Sequence, residues 1–174
     1  MNQASAPVRW GFIGAGMIAK KALYPAINNS SWGEIYAVAG KDAERAKTLS
    51  PSGRVYTDYQ ELIDDPNVEA IYISLPNSLH IPWSIKAMRA GKDVLCEKPL
   101  AMNANEVREA TTVARETGRL FMEASWNRWH PRTKRLAEVV HSGEIGKIER
   151  IKTCFTYDGL PDENIRAFPE LGGG

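Results

Sequence analysis

Gly14-x-Gly16-x-x-Ala19 stands between an apolar run and a helix-forming stretch, and these residue types at this spacing point to phosphate chemistry. In a strand–turn–helix setting the first glycine permits the tight turn, and the second lets a pyrophosphate approach the backbone. The small third residue keeps helix and strand close, while the first N–H groups of the helix receive the anion. Met17 and Ile18 complete the turn and count with Gly14 and Gly16 as cofactor-binding positions. Small residues can also do no more than pack a tight turn. The strand before them and the spacing to the next one favour the nucleotide.

The end of the second apolar run chooses the nucleotide. NAD sites place an acid about 20 positions beyond the glycines, on the ribose hydroxyls. This chain has Ala39-Gly40-Lys41 there, with Arg45 one turn later. A small neutral residue followed by a cation suits a 2′-phosphate, so NADP is expected ahead of NAD, with Gly40, Lys41 and Arg45 as contacts. Asp42 is the competing signal, because a small register shift brings its carboxylate to the ribose. A solvated basic loop at a helix start is the plain reading.

Two further segments end apolar runs, where a doubly wound sheet lines its ligand crevice. In Leu75-Pro76-Asn77-Ser78-Leu79-His80, Pro76 stops the strand while Asn77 and His80 offer polar groups. A lone histidine there is more often a helix-start residue than a catalyst. Cys96-Glu97-Lys98-Pro99 ends the next run. A Glu–Lys pair is ordinarily a surface ion pair of little worth, but this one terminates a strand at the same crevice. Trp126, directly after the last strand, is placed to wall off a substrate, and Arg128 to bind the cofactor or a substrate hydroxyl. For Trp126, Trp129 and His130 the alternative is packing between domains.

Positioning these residues requires an alternation of strands and helices, and the sequence supplies one. Val8–Ile13, Glu34–Ala39, Arg54–Tyr56, Ala70–Leu75, Asp93–Cys96 and Arg119–Glu123 read as six strands. Several lack polar alternation, as parallel strands covered on both faces do. Between them, Pro82 suits a helix N1 position and Gly91 a C-terminal stop. Asn103 and Glu106 form a capping pair, Gly118 closes that helix, and Val107, Ala110, Val113 and Ala114 give it an apolar stripe. Pro25 predicts a break in the first helix between Leu23 and Ala26. Asp64-Asp65-Pro66-Asn67 is a turn into the fourth strand. The expected fold is therefore α/β, a doubly wound parallel sheet over residues 1–125. Residues 126–174 read as the incomplete start of a second α/β domain, with a helix at Pro131–His141 ended by Ser142-Gly143. Ile148–Tyr157 alternates like a strand with one solvated face.

Composition bounds the partners. The chain has 174 residues, with 22 Lys plus Arg against 21 Asp plus Glu, a net charge of +1. No charge excess favours nucleic acid or an anionic membrane. The longest apolar run, around Ala70–Leu75, is far short of a membrane span, and Met1–Pro7 shows no export pattern. Cys96 and Cys154 have no metal or redox spacing and are expected buried and reduced, so no metal is expected and the cytoplasm is the default location.

The glycine turn, Leu75-Pro76-Asn77 with His80, and Gly91-Lys92-Asp93-Val94-Leu95-Cys96-Glu97-Lys98-Pro99-Leu100-Ala101 together resemble the glucose–fructose oxidoreductase/inositol dehydrogenase/MocA family. Met122–Pro131, Asn164-Ile165-Arg166 and Leu171-Gly172-Gly173-Gly174 narrow the resemblance to its dimeric dihydrodiol dehydrogenase and NADP-dependent D-xylose dehydrogenase branch. The resemblance covers the whole chain and about the first half of a family member. It implies a Rossmann domain followed by an α/β domain with a large open sheet, through which the full-length protein forms a homodimer. It further implies hydride transfer between nicotinamide and a hydroxyl-bearing carbon of a sugar, polyol or cyclic diol. Lys98 would be the active-site lysine, in a tight turn expected to carry a cis Lys98–Pro99 bond. Its proton-donor partner, a tyrosine in this branch, would lie beyond the three glycines, so the 174-residue chain is expected to be an inactive fragment. The alternative is a non-catalytic nucleotide-binding protein or degenerate homologue.

Overall fold

A computed structural model of the chain describes residues 6–156, 164 and 167–173. Six strands form one parallel sheet in the order β3-β2-β1-β4-β5-β6. They are β1 (Val8–Ile13), β2 (Gly33–Ala39), β3 (Val55–Tyr56), β4 (Ala70–Ile73), β5 (Asp93–Cys96) and β6 (Phe121–Glu123). The order reverses between β1 and β4, which pair from Trp10↔Ala70 to Ile13↔Ile73. That reversal leaves a crevice at the carboxyl ends of the two strands.

Alternation along each strand divides the core between the two sheet faces. Ile13, Ile71, Ile73, Val94 and Cys96 pack with Leu62, Ile81, Met88 and Val113 from α3 (Tyr59–Asp64), α4 (His80–Arg89) and α5 (Ala104–Thr117). Phe12, Val38 and Tyr72 face the other way and meet Ala19, Ile27, Ala46 and Leu49. There the Phe12 and Tyr72 rings meet edge to face, 5.1 Å between centroids. All four residues of β4 are buried, which is why that strand reads as continuously apolar.

The local stop and start signals act as expected at most sites. Asn103 Oδ1 accepts from the N–H groups of Asn105 and Glu106, and Gly118 ends α5 with φ +65°. Glu106 returns a bond to Met102 N–H and another to the Asn103 amide. Asp65 Oδ1 accepts from Asn67 N–H at 2.8 Å, fixing the turn before β4. The helix α6 (Pro131–His141) ends at Ser142 as read.

Four expectations need correction. Pro25 does not break the first helix. A π-helical turn, Ala19–Leu23, runs directly into α1 (Tyr24–Asn28), and Leu23 and Tyr24 keep right-handed helical angles. The wider turn sends Tyr24 N–H back to Ala19 O, and the helical run continues through the residue that lacks a donor. Pro82 is the third residue of α4, because a 3-10 turn at Asn77–Leu79 starts the helix earlier; a proline among the first four donors loses no intrahelical bond. Residues 148–156 form no strand, since among the described residues no second strand lies beside them to complete a ladder; Tyr157 falls outside the described residues. Outside any sheet of the described residues, Cys154 is exposed rather than buried, whereas Cys96 is buried as expected.

Candidate functional site

The crevice at the strand-order reversal has a volume of about 930 Å³, within the usual range of ligand sites. Its floor is the glycine turn. Gly14 has φ +93°, and a Cβ there would sit 2.8 Å from Ser74 O. Ser74 completes the junction, donating Oγ–H to Gly14 O at 3.0 Å and N–H to Ile13 O at 2.9 Å. At Gly16 a Cβ would lie 3.5 Å from Ser74 O, ordinary contact distance. The protein's own packing therefore does not demand a glycine at 16, and the space left opens onto the crevice. Ala19 is fully buried against the sheet, while Met17 and Ile18 are exposed and line the opening. This is a cradle shaped for a ligand with a phosphate at the helix start.

At the β2 end, Gly40, Lys41 and Arg45 line the crevice together with Asp42. Asp42 Oδ1 accepts the Arg45 N–H at 3.0 Å and caps α2 (Ala43–Lys47). That bond gives the carboxylate a structural use, which weakens it as a reader of ribose hydroxyls. Lys21 and Tyr59 also line the site. With Lys98, four cations face the crevice against the carboxylates of Asp42 and Glu97, so the field favours an anion of several charges.

At the β4 and β5 ends the predicted residues gather as expected. Leu75, Pro76, Asn77, His80, Glu97 and Lys98 all line the crevice. His80 is 1% exposed, with Nδ1 2.8 Å from Pro99 O and Nε2 2.9 Å from Leu75 O. Its ring thus sits between the two strand-end loops, within hydrogen-bond distance of a carbonyl of each. Glu97 is 8% exposed; it accepts from Tyr72 Oη–H at 2.8 Å and from Lys98 N–H at 3.2 Å. Burial, with the Glu97 carboxylate beside it, pushes the Tyr72 phenol far above its ordinary range, so it remains a donor. Burial likewise pushes the Cys96 thiol up to about 12, leaving it inert. Lys98 is exposed to the crevice, no carboxylate among the described residues pairs with its ammonium, and the Lys98–Pro99 bond is cis.

Two predicted residues stand apart. Trp126 and Arg128 occupy a 3-10 turn after β6, exposed and outside the crevice lining; Trp126 rests edge to face on His130. Conversely, Lys21, Tyr59, Ser74 and the Leu171–Gly173 turn line the crevice without having been singled out from residue chemistry. Lys21 lies only five residues beyond Gly16, a usable signal; Tyr59 is brought in by the fold alone.

A doubly wound parallel sheet with a glycine cradle at its reversal and cations at both ends of the crevice defines a Rossmann-type dinucleotide-binding domain. Residues 8–125 match the Gfo/Idh/MocA oxidoreductase family, described by its NAD-binding Rossmann fold, and the chain belongs to that family. It is 37% identical over 171 residues to trans-1,2-dihydrobenzene-1,2-diol dehydrogenase of Mus musculus, covering 96% of this chain and 51% of that protein. It is 36% identical over 170 residues to D-xylose 1-dehydrogenase (NADP(+)) 2 of Haloferax volcanii, covering 95% and 51%. Among solved structures it is similar to a 3-ketoreductase from Actinomadura kijaniata in complex with NADP and TDP-benzene. That match has a TM-score of 0.75 at 35% identity and covers 79% of this chain and 43% of the other. The chain spans about half the length of the curated relatives it matches.

Proposed function

We propose that the crevice holds NADP(H) and that the protein moves a hydride between the nicotinamide and a hydroxyl-bearing carbon of a sugar, polyol or cyclic diol. The observation that carries this reading is the single crevice joining the glycine cradle to Lys41 and Arg45 at one end and Lys98 at the other. Membership of an oxidoreductase family supports the reaction class, and the NADP named for two similar proteins supports the cofactor. Asp42, engaged as a helix cap, leaves the two cations to meet a 2′-phosphate.

When bound, the cofactor supplies the hydride chemistry itself. The chain's own residues do the rest. Gly14 and Gly16 admit the pyrophosphate to the helix start, and Lys41 and Arg45 hold the phosphorylated ribose. Lys98 faces the reacting end, where its ammonium polarises the substrate oxygen and eases loss of the hydroxyl proton to a partner base. Glu97, fixed by Tyr72, positions the Lys98 backbone through its N–H. We assign Trp126 to a substrate wall and Arg128 to a cofactor or substrate hydroxyl, because both directly follow β6 at the carboxyl edge of the sheet. Among the described residues no helix is long and apolar enough to cross a membrane. We place the protein in the cytoplasm, where the free thiols Cys96 and Cys154 stay reduced, and expect a homodimer for a full-length relative.

Titration of the protein with NADPH and NADH, followed by nicotinamide fluorescence, tests the cofactor. NADPH is expected to bind at least tenfold more tightly, the order of one charge-assisted hydrogen bond. Equal affinities would overturn the 2′-phosphate assignment, and binding of neither would overturn the dinucleotide reading.

A further inference from the structure

Asn77 sits at the β4 end of the crevice, where its amide is expected to face a ligand. Instead, Nδ2–H is donated to Gly172 O at 2.7 Å, across 95 positions of sequence. Gly172 follows a short 3-10 turn, Pro169–Leu171, and has φ +82°, a region that side chains rarely adopt. A Cβ at 172 would also overlap the Asn77 side chain and the Met102 thioether. The turn is closed on itself by Gly172 N–H to Pro169 O and Gly173 N–H to Phe168 O, each 3.0 Å. Leu171, Gly172 and Gly173 line the crevice with Asn77, Lys98 and Pro99, at the end opposite Lys41.

We infer that Asn77 is a positioning residue that latches the Leu171–Gly173 turn as a wall over the reacting end of the crevice, and that this latch sets how long the dinucleotide stays bound. The inference rests on the dinucleotide reading above. Gly172 is required twice, for its positive φ and for the backbone to reach both Asn77 and the ligand space. Asn77 acts through its amide donor, so an aspartate of the same shape, which has no donor, cannot replace it.

The test is a double-mutant cycle on NADPH dissociation, measured in stopped flow by displacement with excess NADP, using Asn77→Asp, Gly172→Ala and the pair. Each single variant is expected to release NADPH about 5–10 times faster, the effect of one lost hydrogen bond, and the double no faster than the worse single. Additive effects, or unchanged rates, overturn the latch as the determinant of residence. Amide hydrogen exchange on the cofactor-free protein is the second readout. Asn77→Asp should speed exchange at Gly172 and Gly173 while leaving β4 and β5 protected; unchanged exchange at the two glycines overturns the latch itself. If wild type binds no NADPH, the dinucleotide reading fails, and the exchange experiment still decides whether the latch exists.

Discussion

Lys41 follows the end of β2 with its carboxylate neighbour already capping α2, and this makes its contribution separable. Replacing it with alanine should weaken NADPH by about 1–2 kcal/mol, a lost charge-assisted hydrogen bond, and leave NADH nearly unchanged. Paired titrations check this, and equal losses for both nucleotides would count against a 2′-phosphate contact. Cys96 supports a prediction of a different kind. Its folded thiol titrates at about 12, raised from 9.0 chiefly by burial. From about pH 9 upward the unfolded chain releases this proton while the folded chain keeps it, so stability falls as pH rises. Cys96→Ala should flatten that fall, seen as a smaller shift in urea midpoint between about pH 8 and about pH 10.5. An identical shift in both proteins would refute the assignment. At this scale the sequence was most legible where chemistry and chain position coincide: Gly14, Gly16, Lys41, Arg45, Glu97 and Lys98 all reached the crevice. Tyr59 did not announce itself, because its type is ordinary in a core and only the tertiary fold turns it toward the ligand; Leu171 entered only through the family resemblance, with no role in the crevice. Asn77 was legible as a site residue, but its bond to Gly172 spans the chain and leaves no local trace.

Elements whose ends are set by near neighbours could be read directly. Asn103 satisfies two of the donors at the start of α5, and Asn103→Ala should lower stability by about 1 kcal/mol, lowering the melting temperature by several degrees. A melting temperature equal to wild type would show that the cap bonds are replaced by water at no cost. The same locality explains why Gly118, the Asp65 turn and the ends of α6 matched their sequence signals. Pro25 did not, since the rule that proline breaks a helix assumes an α-helical ladder. Here a π turn precedes the proline, with Tyr24 N–H bonded five residues back to Ala19 O. Residues 148–156 failed for a deeper reason. Their alternation of Ile151, Thr153 and Phe155 on one face with Arg150, Lys152 and Thr156 on the other is a true strand pattern, yet a strand is a property of two segments. No periodicity within one of them can supply the other.

The whole molecule divides unequally between stability and site. Every buried apolar side chain of the described residues lies between Phe12 and Val113. Beyond Ser125 the described chain adds exposed apolar groups, such as Leu136, Ile145 and Ile151, the last 76% exposed. It also adds one contribution to the crevice, the Leu171–Gly173 turn with Asn164 before it. Core and wall are therefore supplied by different parts of the chain, and shortening the chain should separate them. A chain ending at Ser125 keeps all six strands, both core faces, the glycine cradle, Lys41, Arg45 and Lys98. It should melt in one cooperative transition, displaced by no more than the small effect of surface changes, about 0.5 kcal/mol. Its light scattering at high concentration should fall, because the exposed apolar groups are gone. NADPH should still bind but dissociate faster than from the 174-residue chain, by at least the factor seen for Gly172→Ala, since the wall is removed rather than loosened. Calorimetry and stopped-flow displacement on the two chains decide the matter. A lost cooperative melt would place part of the folding energy beyond Ser125, and unchanged dissociation would mean the turn encloses no bound dinucleotide.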